Sequence, residues 1–348
     1  MSSPEVIETT NEDDEMATTA LEMPDFDDEA ATTGLTAIRE RPDLTVEFAK
    51  QLLTNPVTNA SGTISLSSRK AVNLGQFGLL FTKTQGLKAR LGNKGQRIWE
   101  TPSGMLNAIG LPRLSLDDFI ALEWPRWLEL SQNLNVPVGI SFAGESSVQF
   151  HDITRKLDRL EGVFALKANF GCPNVKEGLA FGQDPGLTYE AVKAIKEATD
   201  KPLVVKLTPN VTNIAEIALA AQEGGADALA AINTILAMDI DIEAGQPVLG
   251  NTTGGLSGPA IYPVGLRCVW QITDPKAGFK IPVIGIGGID CWETAVKYFM
   301  AGATLVGIGT ANFCDFETAG RVVAGIEDYC AKKGYKSVRE IPRAKFPE

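Results

Sequence analysis

Residues 282–310 read PVIGIGGIDCWETAVKYFMAGATLVGIGT. Two short apolar runs, Val283–Ile286 and Leu305–Ile308, each carry glycines at their C-terminal ends. Between them, Trp292–Phe299 spaces its apolar residues near 3.6. Apolar runs separated by a helix are the pattern of parallel strands, buried on both faces and joined by a crossover helix.

The unit recurs upstream. Val57–Ser61, Leu79–Lys83, Val138–Phe142, Phe164–Asn169, Leu203–Leu207 and Leu229–Asn233 are the other candidate strands, and Thr188–Ala198 and Ile214–Gln222 are further helical patterns. Eight repeats predict an α/β fold, a single closed (β/α)8 TIM barrel, over residues 46–348. The chain length of 348 residues suits one such barrel with an extension. Two connections, from about Thr84 to Pro137 and from about Ile235 to Pro259, are too long for simple loops. Strand-to-helix loops lie on the catalytic face of a barrel, so these insertions are expected to cover or build the site.

Charge is unevenly spread. Residues 1–30 hold eleven acidic side chains and no Lys or Arg, whereas the other 318 hold 32 acidic and 32 basic ones. The net charge of −11 therefore belongs to the N-terminal stretch, and residues 1–45 are expected to form an acidic, disordered extension. Leu21, Met23 and Phe26 leave open a docking motif within a solvated tail. A neutral body is no polyanion binder, so nucleic acid is not expected as a partner. No apolar run reaches the roughly 18 residues of a membrane span, and neither a secretory nor a transit signal is present. Five scattered cysteines without a C-x-x-C pair suit a reducing cytoplasm. His151 is the only histidine, which excludes a multi-histidine metal site and a Ser-His triad; no metal is expected.

Polar residues gather at the predicted strand ends: Lys83, Asn169, Lys206 and Asn233, with Cys172 just beyond the fourth strand. A lysine among Val and Leu needs a charge or acceptor opposite it. Two of them point to an anionic ligand, with structural ion pairs as the alternative. Gly285-Ile286-Gly287-Gly288 and Gly307-Ile308-Gly309-Thr310 follow the last two strands, where barrels commonly hold phosphate. Glycine lets backbone N–H groups approach such a group closely. Asp290 breaks the G-x-G-x-x-G spacing, so a Rossmann reading fails. Cys172 lies in a loop between Asn169 and Asn174, and a thiol there can accept a proton near neutral pH.

Together these residues resemble the dihydroorotate dehydrogenase family. NFGCPNVKEG at 169–178, KLTPN at 206–210 and QPVLGNTTGGLSGPA at 246–260 are the most specific stretches, supported by MLNAIGL at 105–111 and PVIGIGGI at 282–289. The resemblance implies an FMN-binding barrel that oxidises dihydroorotate to orotate in pyrimidine biosynthesis. It implies Cys172 as the base, and Lys83, Asn107, Asn169, Asn174, Asn233 and Thr234 as substrate contacts. For FMN it implies Ala60, Ser61, Lys83, Lys206, Gly258, Gly287, Gly288, Gly309 and Thr310. A cysteine base marks class 1, the soluble enzymes. Residues 246–260 are most similar to subclass 1B, whose homodimeric catalytic subunits pass electrons to NAD through a subunit carrying FAD and an iron–sulfur cluster. Uracil or thymine reduction on the same kind of FMN barrel, as in dihydropyrimidine dehydrogenase, is the alternative. Departures from the family pattern are Gly171 in place of a serine, Pro112–Ser115, and Thr84-Gln85-Gly86.

Overall fold

The computed structural model describes residues 41–171 and 181–345; Cys172, Asn174 and most of the predicted extension lie outside them. Eight parallel strands form the body: β1 Val57–Asn59, β2 Leu80–Phe81, β3 Val138–Phe142, β4 Val163–Asn169, β5 Leu203–Leu207, β6 Ala228–Ala231, β7 Val283–Ile286 and β8 Leu305–Ile308. Their order is β1-β8-β7-β6-β5-β4-β3-β2, and a parallel bridge between Thr58 and Leu79 joins the two ends. The sheet closes, as the eight repeats predicted.

Among the described residues, seven helices of nine residues or more sheathe it: α1 Trp124–Leu134, α2 Ser147–Asp158, α3 Pro185–Lys196, α4 Ile214–Glu223, α5 Tyr262–Thr273, α6 Trp292–Met300 and α7 Thr318–Lys333. Their starts are encoded locally. The side chains of Ser146, Asp184 and Asn213 accept from the backbone N–H groups of Gln149, Leu187 and Ala215, and Pro185 occupies the first turn of α3. Gly334, at φ +75°, ends α7. Phe150, Ile153 and Leu157 are fully buried along one face of α2, each worth roughly 1.5–3 kcal/mol. The crossover from β1 to β2 is the exception. It has only two 3-10 turns, Ser68–Lys70 and Leu74–Gln76.

The two long connections meet. Ile98–Thr101 and Gly104–Asn107 come from the first, and Ile235–Ala237 and Gly254–Ser257 from the second. They pair into one antiparallel sheet, with Gly255 opposite Asn107 and Ile235 opposite Leu256. This cap has a small core of its own, Leu106, Ala108, Val248 and Leu249. Glycines permit its close approach. A Cβ on Gly104 would collide with the Ser257 carbonyl, and one on Gly255 with the Thr234 side chain.

At the other chain end of the barrel, Asp43 donates its N–H to the Lys336 carbonyl and accepts from Arg339 at 2.6 Å. The hairpin that follows, Val46–Phe48 with Gln51–Leu53, buries Phe48 and Leu53 in the main core.

Candidate active site

Side chains alternate along a strand, so the residues that face the barrel axis can be followed in register. Asn169 of β4 stands beside Lys206 of β5, and Lys206 beside Ala230 of β6. At their C-terminal ends the strands open into one cavity of about 400 Å³. Ala60 and Ser61 follow β1, Lys83 follows β2, Asn233 and Thr234 follow β6, and Asn169 and Lys206 belong to β4 and β5. Gly287 and Gly288 come after β7, Gly309 and Thr310 after β8, and the cap adds Asn107 and Gly258. Every described residue of the predicted site therefore lines one space. Cys172 and Asn174 fall outside the described residues.

The asparagines are not equivalent. Asn233 donates from Nδ2 to Asn169 Oδ1 at 3.0 Å, and its own Oδ1 accepts from the Thr234 N–H at 2.9 Å. Asn107 donates from Nδ2 to the Gly255 carbonyl at 3.2 Å. Among the described residues this leaves the Asn169 amide nitrogen as a spare donor and the Asn107 amide oxygen as a spare acceptor. A flat ring with alternating donors and acceptors matches such a pair. Asn210 braces the arrangement from behind. Its Nδ2 donates to Thr208 Oγ1 at 2.8 Å and to the Thr234 carbonyl at 3.1 Å, and its Oδ1 accepts from the Leu236 N–H.

The opposite end of the cavity is built of backbone. Gly287, Gly288 and Gly258 take φ values of +137°, +66° and +91°, which side chains rarely adopt. A Cβ on Gly288 would come within 2.6 Å of the Tyr262 Cβ. Gly309 differs: a Cβ there meets only Ala60, at an ordinary 3.6 Å, so packing within the protein does not demand glycine. The Ser61 hydroxyl is buried without a hydrogen-bond partner among the described residues. An orphaned hydroxyl, a glycine cradle after β7 and β8, and Thr310 fit the phosphate of a flavin mononucleotide. Lys206 lines the same cavity.

Two residues escaped the sequence reading. Tyr298 of α6 is fully buried and donates from its hydroxyl to the Gly287 carbonyl at 2.8 Å. Burial pushes its phenol far above the usual range, which keeps that proton in place. Gly285 and Gly265 make room for the Tyr298 ring and hydroxyl. The second is Lys167 of β4. It is wholly buried two residues before Asn169, and its Nζ lies 3.4 Å from the centroid of the Phe81 ring with no hydrogen-bond partner among the described residues. Burial first, and the charge of Lys206 second, hold its pKa well below the lysine range. Lys83 is also shifted down, mainly by burial, against the pull of Glu123. His151 sits on α2 with Asp152 3.5 Å away and does not line the cavity.

Two of the departures from the family pattern explain each other. The Arg113 guanidinium occupies the space that a Cβ on Gly86 would take. Likewise, a Cβ on Gly171 would lie 2.7 Å from the Thr208 Cβ.

Known proteins bear on this geometry directly. The dihydroorotate dehydrogenase family profile matches residues 43–329. A dihydroorotate dehydrogenase B (NAD(+)) catalytic subunit from Geotalea uraniireducens is 45% identical over 304 residues, covering 86% of this chain and 97% of the relative. The same-named proteins of Geobacter metallireducens and Geobacter sulfurreducens are each 45% identical over 305 residues, covering 87% of this chain and 98% of theirs. With the barrel, the strand-end cavity and these relatives in agreement, the chain belongs to the dihydroorotate dehydrogenase family of oxidoreductases, which oxidise dihydroorotate in pyrimidine biosynthesis.

Proposed function

We propose that dihydroorotate is oxidised here over FMN, with Cys172 as the base, in a catalytic subunit that hands its electrons to a second protein. The observation that carries the reading is the convergence of all described candidate residues on one cavity, in which the buried Ser61 hydroxyl lacks a partner. Ala60, Ser61, Lys83, Lys206, Gly258, Gly287, Gly288, Gly309 and Thr310 would hold FMN, with the glycines and Thr310 suited to its phosphate. When bound, FMN supplies the hydride acceptor.

The chain's own groups do the rest. Asn107, Asn169, Asn174, Asn233 and Thr234 orient the substrate by reading its amide edge, and Lys83 meets its carboxylate. Tyr298 fixes the Gly287 carbonyl by donating to it. The Cys172 thiolate takes the proton from the substrate carbon next to the one that loses hydride. The names of the relatives, which specify NAD and a catalytic subunit, support a partner subunit; an FAD and iron–sulfur protein suits that role, on a homodimer of this chain. The cytoplasm is its compartment, in keeping with five scattered cysteines, and the barrel occupies residues 46–348, after an acidic extension at 1–45.

The test is anaerobic. Purified protein should be yellow, dihydroorotate should bleach it, and Cys172→Ala should keep its FMN while bleaching about 10²–10⁴ times more slowly. Bleaching of Cys172→Ala at the wild-type rate would place the base elsewhere. Bleaching by dihydrouracil but not by dihydroorotate would assign a pyrimidine-reducing barrel instead.

A further inference from the structure

Neither Asn210 nor Thr208 lines the cavity, yet together they join the segments on which the proposed chemistry depends. Thr208 is fully buried just beyond β5. Its Cβ lies 2.7 Å from where a Cβ on Gly171 would stand, and its Cγ2 lies 3.0 Å from the same point on Gly182. Thr208 is thus packed against the chain on either side of the stretch that contains Cys172, and Gly171 is the residue next to that cysteine. Asn210 ties Thr208 to the segment after β6. One hydrogen of its Nδ2 goes to Thr208 Oγ1 at 2.8 Å and the other to the Thr234 carbonyl at 3.1 Å. Its Oδ1 accepts from the Leu236 N–H at 2.8 Å, and its backbone carbonyl accepts from Gln183 Nε2 at 3.0 Å. The hydrogen bond from Asn233 to Asn169, at 3.0 Å, closes the circuit, because Asn169 stands two residues before Gly171. Both donors of the Asn210 amide, and its acceptor, are therefore committed to other loops.

We propose that Asn210 is a positioning residue which, through Thr208 on one side and Thr234 on the other, sets the spacing between base and substrate. The inference rests on the reading of Cys172 as the base and of Asn233 and Thr234 as substrate contacts. Removal of the proton needs the thiolate within reach of one substrate carbon, and a misplacement of about 1 Å can cost roughly 10²-fold in rate. Thr234 is held from the cap side as well, since a Cβ on Gly255 would collide with it. Loss of Asn210 therefore frees the substrate contacts from the foot of β4 without removing any of them. Its effect should fall on proton removal, the step that needs both segments at once.

The test follows flavin bleaching in anaerobic holoenzyme at saturating dihydroorotate, with hydrogen or deuterium on the carbon that loses the proton. In Asn210→Ala the limiting rate per bound flavin should fall about 10- to 100-fold, and the isotope effect should rise above that of wild type. Bleaching by light, which needs no substrate, should run at the wild-type rate. Asn210→Asp is the companion variant, and it carries the test if Asn210→Ala does not fold. Ionised, it has no hydrogen to offer the Thr234 carbonyl; protonated, it regains one. Its rate relative to wild type should therefore climb as pH falls. A purely structural asparagine would lower the melting temperature and leave the limiting rate and isotope effect at wild-type values, which overturns the proposal. A slower rate with an unchanged isotope effect also overturns it, as does equal slowing under light or a rate ratio for Asn210→Asp that ignores pH. Cys172→Ala separates the two readings. If it is slow while Asn210→Ala runs at full speed, the positioning role alone is refuted. If Cys172→Ala itself runs at full speed, the reading of the base falls, and this inference with it.

Discussion

The barrel wall and the cap are both β-sheets, and they solve opposite problems. The wall is parallel, sheathed by helices, and fully buried along β3, β5, β6, β7 and β8. The cap is antiparallel, and its edges face solvent: Ile98 is 46% exposed and Leu236 44%. The wall and its strand ends supply Lys83, Lys206 and a glycine cradle. The cap supplies Asn107 and Gly258 from a small separate core. The wall is thus the part that carries the fold, and the cap is a separate sheet that adds lining to the same cavity.

A matched pair of glycines can break that division. Gly285→Val drives a branched side chain into the buried Tyr298 ring, and should destabilise the protein by about 3 kcal/mol or more. Gly255→Val drives the same side chain into Thr234. It should lower the melting temperature less than Gly285→Val does, because the cap has a small core of its own, and raise KM for dihydroorotate about tenfold. Equal losses of melting temperature in the two variants would show that cap and wall unfold as one unit.

Lys167 sharpens the comparison, because the wall buries an amine that has no hydrogen-bond partner among the described residues. Its pKa is lowered in the folded state, so the unfolded chain binds more protons below the ordinary lysine value. Stability should therefore rise with pH from the lowered pKa towards 10.5. Lys167→Met should be more stable than wild type by about 1–2 kcal/mol near pH 7, with the gap closing as pH approaches 10.5. Denaturant melts across pH check this; parallel curves for the two proteins would contradict it. The smallest effect is expected from the acidic stretch. A chain beginning near Gly34 should retain FMN and kcat, and a large loss of either would make that stretch part of the enzyme.

The wall was legible because its signal is local. Each strand is a short apolar run, each helix repeats near 3.6, and β3, β5, β7 and β8 have the predicted bounds. The cap was legible only as two oversized connections, since nothing local tells Gly104–Asn107 that its partner is Gly254–Ser257. The missing helix after β1 was likewise unread, because no residue there announces a 3-10 turn. At the site, residues at strand ends stood out against apolar neighbours, which is why Lys83, Asn169, Lys206 and Asn233 were found. Lys167 did have a signal. It stands two places before Asn169, and a period of two puts both on the same face. Tyr298 had none, since its role depends on space left by Gly265 and Gly285 on other elements.

The pairing of Asn107 with Gly255 spans 148 residues. During synthesis, the hairpin of Ile98–Thr101 and Gly104–Asn107 emerges long before the strand that will flank it. At about 5–20 residues per second, roughly 7–30 s separate the two. Through that interval the Gly104–Asn107 strand offers an unpaired edge, with Met105 and Leu106 on it, to whatever other chain is near. The mouth of the active site thus carries an edge open to a wrong partner at birth, and it gains its right one only when β6 and the segment after it have been made.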